Sequence, residues 1–135
     1  MKHVDVALQL LALEGAGPEA ALRVHARLAA RLEPLIGIAG TQALLTRGAK
    51  LTAREHACFA SLAVKPAGPT ETTEERLRIC LSVHEHEPAA LVAAAAAFYG
   101  TLLGLLTTFI GEPLVWQVLR GAFPAFEQSV QETEQ

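Results

Sequence analysis

Apolar residues recur along this chain at three- and four-residue spacing, the period of a helix face, and no stretch alternates apolar and polar as a strand would. One segment breaks even that pattern by having no charged side at all. From Ala89 to Ile110 every side chain is uncharged, and five successive alanines lead into Leu102, Leu103, Leu105 and Leu106. These are strong helix formers, and Pro88 suits a first helical position, where its missing N–H would go unpaired anyway. Such a helix is apolar all round and is expected to be buried, with the rest of the chain packed about it.

Within it Ala93, Ala97, Gly100, Gly104, Thr107 and Gly111 fall alternately four and three apart, a seam of small residues along one face. Glycine inside a helix costs roughly 1 kcal/mol relative to alanine. Close approach of a neighbouring backbone is the usual compensation, so the seam is expected to set the distance to the next helix.

The flanking segments read as helices separated by Gly/Pro punctuation. Val4 to Glu14 is a first short helix, with Val4, Leu8 and Leu11 on one side and Val6, Leu10 and Leu13 beside it. Pro18 opens a second, running to about Glu33, where Pro34 disfavours helical geometry in the residue before it. Leu35 to Lys50 is a third, glycine-dotted helix. Thr52-Ala-Arg-Glu55 and Thr72-Thr-Glu-Glu75 have the form of capping boxes, the first opening a new helix or a kinked continuation that carries Phe59, Leu62 and Ala63, the second opening another helix, with a loop from 65 to 70 between them. Gly111-Glu-Pro predicts a break and restart, giving a last helix from Pro113 to about Gly121. The fold class expected is all-α: one domain over 1–127, four to six helices bundled round 89–110, followed by a polar tail over 128–135.

Composition narrows the function. At 135 residues, with 51% hydrophobic and 19% charged content, the chain can bury a core without staples. A net charge of −3 argues against a surface that grips nucleic acid. Cys58 and Cys80 have no framework spacing, so reduced thiols and a cytoplasmic location are expected. The N-terminus has an acidic residue inside its short apolar run and does not read as a signal peptide. Asp5 is the sole aspartate and asparagine is lacking, which disfavours calcium loops and Asp-based triads.

Four groups of residues could carry chemistry. Arg23, Arg27 and Arg31 recur on successive turns and could dock an acidic partner or a phosphate, although a basic stripe is more often a solvated face. Cys80, His84 and His86 supply thiolate and imidazole, ligands suited to zinc or nickel; Cys80 and His84 share a helix face, but they make only half a site. His56 and Cys58, two apart, would point away from each other on a helix and cannot pair as base and nucleophile. Glu112 could be a buried proton-handling carboxylate or could complement a helix N-terminus. Motifs for phosphate loops, hydrolase elbows and dinucleotide binding are missing.

The run Thr107-Thr-Phe-Ile-Gly-Glu-Pro-Leu114, with Val118-Leu-Arg120 and Ala122-Phe-Pro124, resembles the closing segment of small uncharacterised all-helical bacterial proteins. Leu35-Ile-Gly-Ile-Ala-Gly40 with Ala43-Leu-Leu45 is similar to an earlier helix of theirs. The resemblance implies a helical fold and no activity. The function expected from these observations is a non-enzymatic binding or regulatory module working through protein contacts, including contacts with a second copy as a homodimer. The alternatives are a metal-responsive protein using Cys80, His84 and His86, and a membrane-associated one anchored by 89–110. The last rests on length, since twenty-two residues at ~1.5 Å each span the ~30 Å of a bilayer core. Acidic flanks and the lack of Lys or Arg near the ends weigh against it.

Overall fold

Two long helices carry the architecture, and every other element packs on one or both of them. The computed structural model describes residues 2–15, 17–63, 73–84 and 87–126. In chain order it forms α1 (His3–Leu13), α2 (Pro18–Thr52), a 3-10 helix (Ala57–Ala63), α3 (Thr73–Ser82), α4 (Pro88–Ile110) and α5 (Glu112–Ala122), with a further helical turn at 124–126. No strand occurs among the described residues. The fold is an all-α bundle, and α4 is its central helix, touching α1, α2, α3 and α5. The loop at 65–70, Thr72, His86 and the tail at 128–135 lie outside the described residues.

α4 begins where the sequence places it, with Pro88 in its first turn, and ends at Gly111, whose φ of 88° is a conformation other residues avoid. That single glycine lets α5 start at once, with Glu112 in its first turn. α4 is not buried on every side. Leu91, Phe98, Tyr99, Leu102, Leu103 and Leu106 are in the core, whereas Ala93 and Thr108 are exposed and Phe109 is 70% exposed. By length and composition it could cross a membrane, and 56% of its most apolar window is covered by the rest of the fold.

At the centre Phe59 stacks on Phe98 with ring centroids 4.9 Å apart, and Phe98 meets Tyr99 at 5.2 Å. Aromatic pairs of this kind add about 0.5–1.5 kcal/mol each beyond the area they bury. The fully buried Tyr99 hydroxyl donates to the Ala21 carbonyl at 2.6 Å, tying α4 to the first turn of α2. At the rim, Trp116 stacks on Phe126, centroids 5.5 Å apart, and donates its ring N–H to Glu112.

Three local expectations need correction. The bend in α2 falls at Gly37 (φ 81°, ψ 166°), not at Glu33. Proline strains the residue before it, but a glycine three residues on can take a positive φ at little cost, so the helix runs past Pro34 to reach it. The helical segment expected after Thr52 is present, but as a 3-10 helix over Ala57–Ala63, and Thr52 does not cap it. Thr52 closes α2 by donating its hydroxyl back to the Gly48 carbonyl at 2.8 Å, and a 3-10 helix follows. On α1 the buried positions are Val6, Ala7, Leu10 and Leu11, while Val4, Leu8 and Leu13 remain 39–49% exposed.

Candidate functional site

The small-residue seam meets α1 over part of its length only. A Cβ built at Gly100 would lie 2.9 Å from Val4 Cγ2 and 3.2 Å from the Val4 Cα and N, so the backbone of α1 itself crosses there. At Gly104 the nearest atom is His3 Nδ1, at 3.4 Å, and Thr107 Oγ1 lies 3.4 Å from His3 Nε2. Ala97 is half-buried, Ala93 is exposed, and Gly111 serves as the turn. A tighter place is Gly48 on α2, where a Cβ would come within 2.5 Å of Leu102 Cδ2. A lone glycine within a helix is the only signal the sequence gives of it.

The arginine stripe is mostly consumed by the fold. Arg23 and Arg27 converge on Glu14 at the end of α1, with Nε–carboxylate distances of 3.3 and 2.7 Å. Arg23 also donates to the Glu14 backbone carbonyl. Arg27 donates to the Ala122 carbonyl at 3.2 Å and sits 6.0 Å from the centre of the Phe123 ring, and Arg31 donates to the Gly121 carbonyl at 2.9 Å. Gly121 and Ala122 end α5, where carbonyls lack helical partners and the dipole favours a cation. Thus two arginines clamp α1 and two cap α5. Arg31 alone of the three has no carboxylate partner among the described residues.

Arg31 stands beside a groove of about 360 Å³ between the bent part of α2 and α5, lined by Ala30, Arg31, Pro34, Leu35, Leu114, Gln117 and Val118. Leu35 is 50% exposed, and Ile38, just past the bend, is 68% exposed. Both flank the bend at Gly37.

The metal candidates fall only partly within the described residues. Cys80 is buried on α3, His84 is half-buried in the turn after it, and His86 lies outside the described residues. Among the described residues no three His, Cys, Asp or Glu side chains cluster as a metal site would require. What Cys80 does meet is Cys58, from the 3-10 helix, its Sγ donating across 2.8 Å. Burial pushes the Cys80 thiol well above its ordinary range, and the hydrogen bond to Cys58 adds to that. His56, just before this 3-10 helix, is half-buried. Glu112 is exposed at the start of α5, accepting from Trp116 at 3.2 Å, so the buried-acid alternative falls.

Two buried groups gave no sign of themselves in the sequence. Arg76, only 8% exposed, lies on the inner side of α3 and donates to the Ser61 carbonyl. His25 lines an apolar cavity of about 10 Å³, room for one water at most, with Leu28, Leu32, Thr41, Tyr99 and Leu106. Both its ring nitrogens lack a hydrogen-bond partner among the described residues. Burial lowers its pKa, partly offset by Glu74 and Glu33. Comparison with known protein families, curated proteins and solved structures finds no match to this chain.

Proposed function

We propose that the chain is a protein-binding module whose working surface is the groove between the bent part of α2 and α5. The observation that carries this reading is Arg31, a guanidinium with no carboxylate among the described residues, beside a groove lined chiefly by apolar residues. A cation held on the Gly121 carbonyl, with no carboxylate partner among the described residues and exposed Leu35 nearby, suits a partner segment with leucine-type side chains and one carboxylate about a turn away. That is the helix-in-groove mode, in which apolar anchors bind and a charge-assisted bond fixes orientation. Arg23 and Arg27 are already paired with Glu14 on α1, Arg27 also bonding the Ala122 carbonyl at the end of α5, and they take no part in recognition.

The test is a display selection of helical peptides of about 15 residues against the immobilised protein, followed by titration of Arg31→Glu and Leu35→Glu variants. Selected peptides are expected to carry a carboxylate flanked by leucine-type residues. Each variant should weaken binding about tenfold or more, close to 1.4 kcal/mol. Changing the peptide's Glu to Lys should restore binding to Arg31→Glu. Peptides whose affinity ignores both variants would overturn the proposal. A dimer in sedimentation equilibrium that Leu35→Glu dissolves would identify the partner as a second copy of this chain.

A further inference from the structure

Cys58 and Cys80 are 22 residues apart in the chain and sit on different elements, yet their sulfurs are 2.8 Å apart. Both are free thiols. A disulfide bond is ~2.05 Å long, so the pair lies less than an ångström from bonding distance. The two sulfurs differ in access. Cys58 is half-buried on the short 3-10 helix, whereas Cys80 is 2% exposed. Cys80 donates its S–H to Cys58 Sγ, so the more accessible sulfur is the acceptor and the buried one keeps its proton. A reagent from solvent therefore reaches Cys58 first, with a second thiol already behind it. No third metal-ligating side chain completes a cluster among the described residues.

We propose that Cys58 and Cys80 are a hydroperoxide-reactive thiol pair that closes to an intramolecular disulfide. In the first step the Cys58 sulfur attacks the peroxide's terminal oxygen and the O–O bond breaks. The products are Cys58 sulfenic acid and an alcohol, or water when the oxidant is hydrogen peroxide. In the second, Cys80 Sγ attacks Cys58 Sγ, the S–O bond breaks, and the Cys80 proton leaves with the hydroxide as water. Two thiols and one peroxide thus give one disulfide, two electrons passing from sulfur to oxygen. A dithiol reductant reverses it by exchange.

The experiment treats the purified, reduced full-length chain with hydrogen peroxide, blocks remaining thiols with a maleimide, and measures intact mass. Both thiols are expected to disappear together, the monomer becoming lighter by two hydrogens, with full recovery under dithiothreitol. Peptide mapping should place the bond between Cys58 and Cys80. In Cys80→Ala the reaction should stop at a Cys58 sulfenic acid that dimedone traps, and Cys58→Ser should leave Cys80 unreactive at the same dose. The proposal is overturned if wild-type Cys58 accumulates a dimedone-trappable sulfenic acid while Cys80 stays alkylatable. It fails equally if both thiols survive a dose that oxidises free glutathione, or if only disulfide-linked dimers form. The wild-type mass alone decides, so a variant that folds poorly does not blunt the test.

Discussion

Replacing Gly100 and Gly104 by alanine, one at a time, separates close helix approach from simple helix propensity. Both glycines are inside α4, so each substitution gains about 0.5–1 kcal/mol of backbone preference. What differs is the neighbour. At Gly100 the new methyl would lie 2.9 Å from Val4 Cγ2 and 3.2 Å from the Val4 Cα and N, backbone atoms that move only if α1 moves. Overpacking of this kind costs about 1–3 kcal/mol, so Gly100→Ala should be net destabilising by about 1 kcal/mol. At Gly104 the methyl meets only the tip of the His3 ring at 3.4 Å, an ordinary contact, and Gly104→Ala should stabilise by about 0.5–1 kcal/mol. Thermal and urea unfolding followed by circular dichroism should show the melting temperature falling for one and rising for the other, by about 3–5 °C per kcal/mol. Adding Val4→Ala to Gly100→Ala should recover part of the loss, because the nearest atom goes but the backbone stays. A rise in melting temperature for Gly100→Ala would refute the close crossing of α1 over α4.

Burial lowers the pKa of His25, so below the ordinary imidazole pKa of about 6.5 the unfolded chain takes up a proton that the fold resists. Stability should therefore fall as pH drops from about 7 to 5, and His25→Leu should flatten that slope in urea unfolding measured at each pH. Glu14→Gln removes the carboxylate shared by Arg23 and Arg27 and should cost about 1 kcal/mol, less at high salt, by thermal melts at two ionic strengths. Tyr99→Phe deletes the bond to Ala21 and should cost about 0.5–1.5 kcal/mol, read from denaturant midpoints. Closing the Cys58–Cys80 disulfide should raise stability by about 3 kcal/mol through the loop it restricts, seen as a melting shift that dithiothreitol abolishes.

How much of this was legible depended on how local the cause is. The span of α4 follows from charge-free sequence, Pro88 and Gly111, all within one segment, and it was readable almost to the residue. The bend in α2 was not, because Pro34 and Gly37 compete to host it and only the packed fold shows which prevails. Thr52 is ambiguous in sequence for a related reason: a threonine hydroxyl can start one helix or bond back into another, with the same letters either way. Candidate sites fared worse. The spacing of Arg23, Arg27 and Arg31 was plain, but that Glu14 and the end of α5 would claim them depends on residues up to 95 positions away. Cys58 and Cys80 showed no spacing signal, because tertiary packing alone brings the 3-10 helix against α3.

The stack of Trp116 on Phe126 has a practical corollary, since the chain has a single tryptophan and a single tyrosine and they lie on different helices. Trp116 reports on the rim where α5 meets the last helical turn, while Tyr99 reports on the interior. Fluorescence of the one and second-derivative near-ultraviolet absorbance, which resolves the tyrosine band from the tryptophan one, thus give two natural optical channels on different helices. Coincident denaturant transitions in both would mean that α5 and the centre melt as one cooperative unit. An earlier tryptophan transition would mark α5, and with it the groove beside Arg31, as the layer that loosens first.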